Sequence, residues 1–201
     1  MKGSYEKIEK IKQIAFRSFL EIGYEATTVR MLCKAAEIES PTLYYFFKSK
    51  KGLFMSLKND MEEEYSELVK GLFLEKCDNP ESALKKYSRF CANYAIENND
   101  KTRFYLKYRL FRPVELGQEI DEYIDNSNKE RHEQYFKYIQ ELVETNKQNC
   151  SSEYVFRKFT NFIESNTFNI IFSKWRPSDE EIDEEWNMFL NYYLNGNDKK
   201  R

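Results

Sequence analysis

One histidine, His132, and four cysteines, Cys33, Cys77, Cys91 and Cys150, are the whole supply of imidazole and thiol in this chain. His132 lies in a charged run, Lys129-Glu130-Arg131-His132-Glu133, where a solvated side chain is expected. A Ser-His-Asp or Cys-His site would hang on that one residue, and a multi-His metal site is impossible. The cysteines form no C-x-x-C pair and are expected to stay reduced. No catalytic residue, metal ligand or cofactor is therefore expected. The chemistry that remains is recognition. Between residues 40 and 50 the chain offers hydroxyls, flat rings and cations at short intervals: Ser40, Thr42, Tyr44 and Tyr45, followed by lysines. Hydroxyls and rings can reach base edges and sugars, and cations can hold phosphates.

Such groups need rigid elements to aim them. Ile8, Ile11, Ala15, Phe19 and Ile22 recur at three and four and predict a helix over 5–22, stopped by Gly23. Thr27 is placed to cap a second helix, whose inward residues are Val29, Leu32, Cys33 and Ala36. After a short link, Ser40 followed by Pro41 signals a third start, with a short helix to Phe47. Ser49 caps a fourth helix to about Leu72. Further helices are expected from Asn79-Pro80, over 101–111, over 118–143 with Ile120 and Ile124 on its stripe, over 153–175, and from Ser178 to Gly196. A frayed basic tail, Lys199–Arg201, follows.

The second and third helices, joined by a tight link, make a helix-turn-helix pattern. Leu43 and Phe47 are four apart and can pack inward with Val29, Leu32 and Ile38. That assigns Ser40, Pro41, Thr42, Tyr44, Tyr45 and Phe46 to the outer face. A recognition helix must enter a major groove about 12 Å wide, so small or planar leading residues suit it. Tyr45 and Phe46 exposed side by side suit thymine methyls or sugar edges; the bland alternative is that both are core aromatics.

Composition narrows the class further. Of 201 residues, 41% are hydrophobic, 33% charged and 16% aromatic, with only 6 Gly and 4 Pro, too few turn formers for an all-β fold. No apolar run approaches the roughly 18 residues of a membrane span, and none follows the basic N-terminus as a signal peptide would. A cytoplasmic protein with no membrane partner is expected. The net charge of −2 hides an asymmetry: residues 1–58 hold 11 Lys and Arg against 6 Asp and Glu, and the remainder is acidic. A basic N-terminal part on an acidic body suits a small nucleic-acid-binding head.

Residues 11–53 resemble the DNA-binding head of TetR-type transcriptional regulators. The resemblance rests on Ile11, Ala15, Phe19, Gly23-Tyr24, Thr27-Thr28-Val29, Ala36, Thr42-Leu43-Tyr44, Phe47, Ser49-Lys50 and Leu53, in order and without insertion. It implies an all-α fold of about nine helices: a three-helix head over 1–50 and a larger ligand-binding and dimerisation body over 51–201. It also implies that Thr28 and Arg30 touch phosphate or a base edge. Ser40, Pro41 and Thr42 would lie in the groove, Tyr44 would meet a phosphate, Tyr45 and Phe46 would face bases, and Lys50 would meet a phosphate at a helix start. Glu37 stands where the family's turn usually carries Gly, at a strain of roughly 1 kcal/mol if its φ is positive.

The same resemblance implies a homodimer on a palindromic duplex operator, with a repressor released by a small lipophilic or aromatic effector. The alternative is a module of the same fold that binds proteins or organises DNA without an effector. The eighth helix is apolar on two sides, which suggests burial against its own body and a partner. Phe159, Ile163 and Ile170, with Trp186, Phe189, Leu190 and Tyr193 of the ninth helix, are the candidate dimer residues, unless they simply close one core. A pocket among helices four to eight would draw on Met61, Tyr65, Tyr87, Phe90 and Cys91. Tyr94, Tyr105, Phe136, Phe162 and Asn166 complete that set, though each ring could equally be core.

Overall fold

Asn79 and Ser151 show how local chemistry sets the helix starts. The Asn79 side chain accepts from the Ser82 amide at 2.8 Å and starts a helix with Pro80 in its first turn. The Ser151 hydroxyl accepts from the Tyr154 amide at 3.2 Å. Ser178 and Glu181 cap reciprocally: the Ser178 amide donates to the Glu181 carboxylate at 2.8 Å, and the Glu181 amide to the Ser178 hydroxyl at 3.3 Å.

The structure, a computed structural model, describes residues 2–75, 77–146 and 150–193, without the side chains of 2, 118–128 and 130. The expected stripe residues Ile120 and Ile124, the helix end at Gly196 and the tail Lys199–Arg201 lie outside what is described. Among the described residues there are nine α-helices and no strand. They are α1 (Lys2–Glu21), α2 (Val29–Ala36), α3 (Ser40–Phe47), α4 (Lys50–Leu74), α5 (Pro80–Glu97), α6 (Asn99–Leu110), α7 (Gly117–Thr145), α8 (Ser152–Phe172) and α9 (Asp179–Tyr193). A 3-10 turn, Val114–Leu116, precedes α7.

Two cap assignments shift by one residue. Thr28, not Thr27, caps α2, its hydroxyl accepting from the Met31 amide at 3.2 Å. Thr27 is buried and donates to the Gly23 carbonyl at 2.7 Å, closing the α1–α2 loop instead. Glu39 is the cap residue of α3, so Ser40 is already helical and Pro41 sits in the first turn. Pro tolerates that place because its missing amide has no helical partner there.

The chain forms two compact units. The first holds Met1–Tyr65 and Arg103–Ile124, the second Ser66–Thr102 and Asp125–Arg201. In the first, Ile11, Ala15 and Phe19 of α1 pack with Leu32 and Cys33 of α2, Leu43 and Phe47 of α3, and Leu53, Phe54 and Leu57 of α4. Phe104 and Tyr108 of α6 and Leu116 complete that core. Phe54 is its hub, with ring centroids 5.5 Å from Phe19, 5.3 Å from Tyr24, 5.5 Å from Phe104 and 4.8 Å from Tyr108.

The second unit packs α5 against α8 and α9. Tyr87, Tyr135, Phe159 and Trp186 are buried in it. Tyr87 stacks on Phe73 at 5.7 Å and on Tyr135 at 5.3 Å, and Tyr135 on Phe156 at 5.2 Å. Burial pushes the Tyr135 phenol well above its ordinary value, against the Thr160 hydrogen bond. His132 is half-buried, edge-on to the rings of Tyr135 and Phe156 at 5.4 Å each, rather than solvated. Its neighbours in sequence are charged, but one helical face of α7 turns it onto the aromatic stack. All four cysteines are free thiols.

Candidate nucleic-acid interface

The Glu37 turn fixes α2 against α3. Glu37 takes the left-handed conformation, φ 58° and ψ 45°, and its amide reaches back to the carbonyls of Cys33 and Lys34. The expected strain is thus present, and the Glu37 carboxylate pairs with Lys10 of α1 at 3.0 Å. Lys10 holds that carboxyl below its usual value. At the other end of α3, Lys48 is also left-handed in φ, at 67°, and Gly52 follows in the first turn of α4. A Cβ on Gly52 would stand 2.0 Å from the Phe47 carbonyl oxygen, so this close approach requires glycine. The Ser49 hydroxyl accepts from the Gly52 amide at 2.9 Å, as its sequence position suggests.

On this frame the residues expected at DNA are displayed unequally. Tyr45 is 73% exposed and Tyr44 46%, so both stand out from α3. Leu43 and Phe47 are buried as expected. Phe46 departs from expectation: it is half-buried and packs against the head core, with its ring 5.1 Å from Tyr45 and 6.3 Å from Phe47. A short helix of eight residues leaves room for one inward ring beside Phe47, and Phe46 takes it. Pro41, Thr28 and Arg30 are exposed; Ser40 and Thr42 are half-buried at the start of α3.

Lys50 is not a plain solvated lysine. Its ammonium donates to the Tyr24 carbonyl at 3.0 Å and lies 4.1 Å from the Tyr24 ring centroid. An ammonium has three donors, so the bond to Tyr24 orients the group without exhausting it. Lys48, which the sequence reading passed over, is exposed, donates to the Tyr45 carbonyl at 3.3 Å and holds its ammonium 6.0 Å from the Tyr45 ring. The signal was there: a lysine three residues after an exposed tyrosine shares its helical face.

The body residues separate as follows. Phe159, Ile170, Trp186, Phe189 and Leu190 are buried within the chain's own body, and Ile163 and Tyr193 half-buried. Packed so deeply in one chain, these five present little surface to a second. Trp186 in particular has 0% exposure, packed edge-on to Phe159 at 6.0 Å and stacked on Phe189 at 5.6 Å. The exposed large hydrophobic residues of the same two helices are Tyr154, Phe168 and Phe172, the last two with ring centroids 4.4 Å apart, and Met188 and Tyr192.

Among the pocket candidates, the second unit brings Tyr87, Phe90 and Tyr94 into one row, at 6.5 and 5.9 Å. Cys91 is buried beside them in sequence. Phe136 meets Phe156 edge-on at 5.2 Å, and Phe162 stacks on Phe189 at 5.1 Å. Asn166 is half-buried on α8. Met61, Tyr65 and Tyr105 belong to the first unit: Met61 packs on the head core, and the Tyr105 hydroxyl accepts from Arg109 at 3.3 Å.

Comparison with known proteins agrees with this geometry. Residues 13–57 match the family described as bacterial regulatory proteins, tetR family. The chain is 37% identical over 59 residues to the HTH-type transcriptional regulator QacR of Staphylococcus aureus, covering 29% of this chain and 31% of that protein. It is 33% identical over 70 residues to the HTH-type transcriptional regulator YhgD of Bacillus subtilis, covering 33% and 37%. The chain thus spans about a third of the length of these curated relatives. Among solved structures, a TetR transcription regulator from Haloarcula marismortui superposes with TM-score 0.70 at 16% identity, covering 94% of this chain and 97% of that one. AibR, solved with isovaleryl coenzyme A and operator DNA, superposes with TM-score 0.70 at 18% identity, covering 94% and 98%. These structural likenesses establish the fold and extend it past the matched head. Residues 13–57 thus match the head of the tetR family of bacterial regulatory proteins, and the all-helical fold that carries them is the fold of the solved TetR regulators.

Proposed function

We propose that this protein is a homodimeric, sequence-specific DNA-binding transcriptional regulator: a repressor that a small lipophilic or aromatic effector releases from a palindromic operator in the bacterial cytoplasm. The observation that carries the reading is α3, a rigid eight-residue helix that shows Tyr44 and Tyr45 to solvent between two held turns, flanked by Thr28, Arg30, Lys48 and Lys50. Exposed rings on a helix that follows a left-handed turn suit base edges, and the flanking cations suit phosphates. Residues 1–50 are the DNA-binding part of this reading, and 51–201 the ligand-binding and dimerisation part.

One helix-turn-helix reads one half-site, so a two-fold operator needs two chains. Phe168, Phe172, Met188 and Tyr192 supply apolar surface on α8 and α9 for that pairing, in place of the buried Trp186 set. The effector part draws on AibR, whose structure holds both an acyl coenzyme A and operator DNA, and on the aromatic wealth of the body. An effector can release DNA only by binding better to a form whose heads are wrongly placed.

The test begins with selection of bound duplexes from a random library. A two-fold consensus supports the reading, and uniform binding of all duplexes refutes it. Aromatic and lipophilic compounds are then screened by thermal shift, and a hit is titrated with and without the selected duplex. Linkage requires the duplex to weaken ligand binding by the same factor as the ligand weakens duplex binding. Equal ligand affinity in both titrations refutes the release mechanism for that compound.

A further inference from the structure

The carbonyls of Phe19 and Leu20, in the last turn of α1, are met by side chains from far along the sequence. A helix leaves its last four carbonyls without helical partners, and they need donors from elsewhere. The Ser18 carbonyl takes the Ile22 amide at 3.0 Å, while the donors to Phe19 and Leu20 come from α6, more than eighty residues away. The Lys107 ammonium donates to the Phe19 carbonyl at 3.0 Å and to the Leu20 carbonyl at 2.8 Å. The Tyr108 hydroxyl donates to the Phe19 carbonyl at 2.6 Å, a bond that is itself buried. The chain turns at once at Gly23, φ 91°, where the Lys107 ammonium stands 3.7 Å from the site of a Cβ. Tyr24 is then gripped on two more sides: its hydroxyl donates to Glu115 at 3.0 Å and its carbonyl accepts from Lys50. A cation at a helix C-terminus also meets the negative end of the helix dipole. The loop so fixed leads directly into Thr28 and Arg30, which open α2.

We propose that Lys107 and Tyr108 are positioning residues for DNA binding: by closing the end of α1 from α6, they hold the α1–α2 loop, and with it the helix-turn-helix, in the arrangement that fits DNA. This rests on the DNA-binding reading given above.

The test compares Lys107→Met and Tyr108→Phe, which remove the donors and keep most of the apolar bulk, with Lys107→Arg, which keeps a cation and its donors. Each is titrated into the duplex selected by the wild-type protein, well below its unfolding temperature, across a range of salt. Apparent affinity scales with the competent fraction of each head, and two heads square it, so a threefold loss per head reads as about tenfold for the dimer. The expected result is a loss of about tenfold for Lys107→Met and for Tyr108→Phe, an unchanged salt slope, since no phosphate contact is removed, and recovery in Lys107→Arg. Hydrogen exchange at the amides of residues 22–28 should quicken in the two weakened variants only. A merely structural role would lower the unfolding temperature and leave the affinity of the folded protein unchanged, and that result overturns the proposal. Weakening with a flattened slope makes Lys107 a phosphate contact and overturns it too. Wild-type protein that selects no duplex refutes the DNA-binding reading itself, a failure visible before any variant is made.

Discussion

The Lys50 ammonium lies against Tyr24 twice, bonded to its carbonyl at 3.0 Å and 4.1 Å from its ring centroid. The first residue of α4 is thereby tied to the loop that precedes α2. If the same ammonium also meets a phosphate, Lys50→Ala should weaken binding to all duplexes alike and flatten the dependence of log K on log salt by about one unit. Anisotropy titrations over a salt series check this. An unchanged slope with weaker binding would restrict Lys50 to holding Tyr24.

Tyr45 and Phe46 are adjacent and should behave oppositely. Tyr45→Ala removes an exposed ring, so it should relax sequence preference in a repeat of the duplex selection and leave stability within about 0.5 kcal/mol. Phe46→Ala removes a ring packed on the head core and should cost about 1–3 kcal/mol, less than a fully buried Phe. Urea denaturation reads the difference.

Trp186 and Phe172 test the body in the same way. Trp186→Ala should cost about 3–5 kcal/mol because it empties the centre of an aromatic cluster. Phe172→Glu should leave the denaturation midpoint nearly unchanged and shift the protein toward monomer in sedimentation velocity. A variant that stays dimeric would move the pairing surface off this end of α8.

Gly52→Ala sets a Cβ into the Phe47 carbonyl, which is backbone and cannot swing aside. The turn between α3 and α4 must open, so duplex binding should fall by about tenfold or more, the cost of one to two kcal/mol of misplacement. Ser49→Ala, which loses only the cap on Gly52, should have a smaller effect of about 1 kcal/mol on stability.

Acid stability should report Asp183. Arg89 donates to its carboxylate at 2.6 Å and Lys85 pairs with it at 2.8 Å, and the Arg89 bond chiefly depresses its pKa below 3.8. A depressed carboxyl stabilises the fold at pH values above its unfolded pKa and loses that contribution as pH falls through the folded one. Asp183→Asn should therefore destabilise at neutral pH, on the order of 1 kcal/mol for a partly exposed pair. That difference should shrink below pH 3.8, as unfolding monitored from pH 7 downward would show.

Much of the head could be read from residue spacing because its signals are local. Leu43 and Phe47 face inward at a spacing of four, and Ser49 caps α4 one turn before Gly52 needs it. Phe46 could not be placed, because a run of Tyr-Tyr-Phe-Phe carries no periodicity of its own and tertiary packing chose between the rings. The Trp186 set could not be assigned to core or interface for a related reason. An apolar stripe says that a helix buries a face, and it does not say whether the cover is the same chain or another. The bonds from Lys107 and Tyr108 to α1 had no signal at all in the chain, since a lysine and a tyrosine on a charged helix look solvated until their distant acceptors are known.

The head's core borrows Phe104, Tyr108 and Leu116, which lie far along the chain from α1. During synthesis the helix-turn-helix therefore leaves the ribosome before the residues that close its apolar slot, and it must wait with Phe19 and Phe54 uncovered. Contacts of such long sequence separation form late and leave sticky surface exposed meanwhile. A message broken before α6 would thus yield an unfinished polypeptide fit for proteolysis, and not a free-standing head.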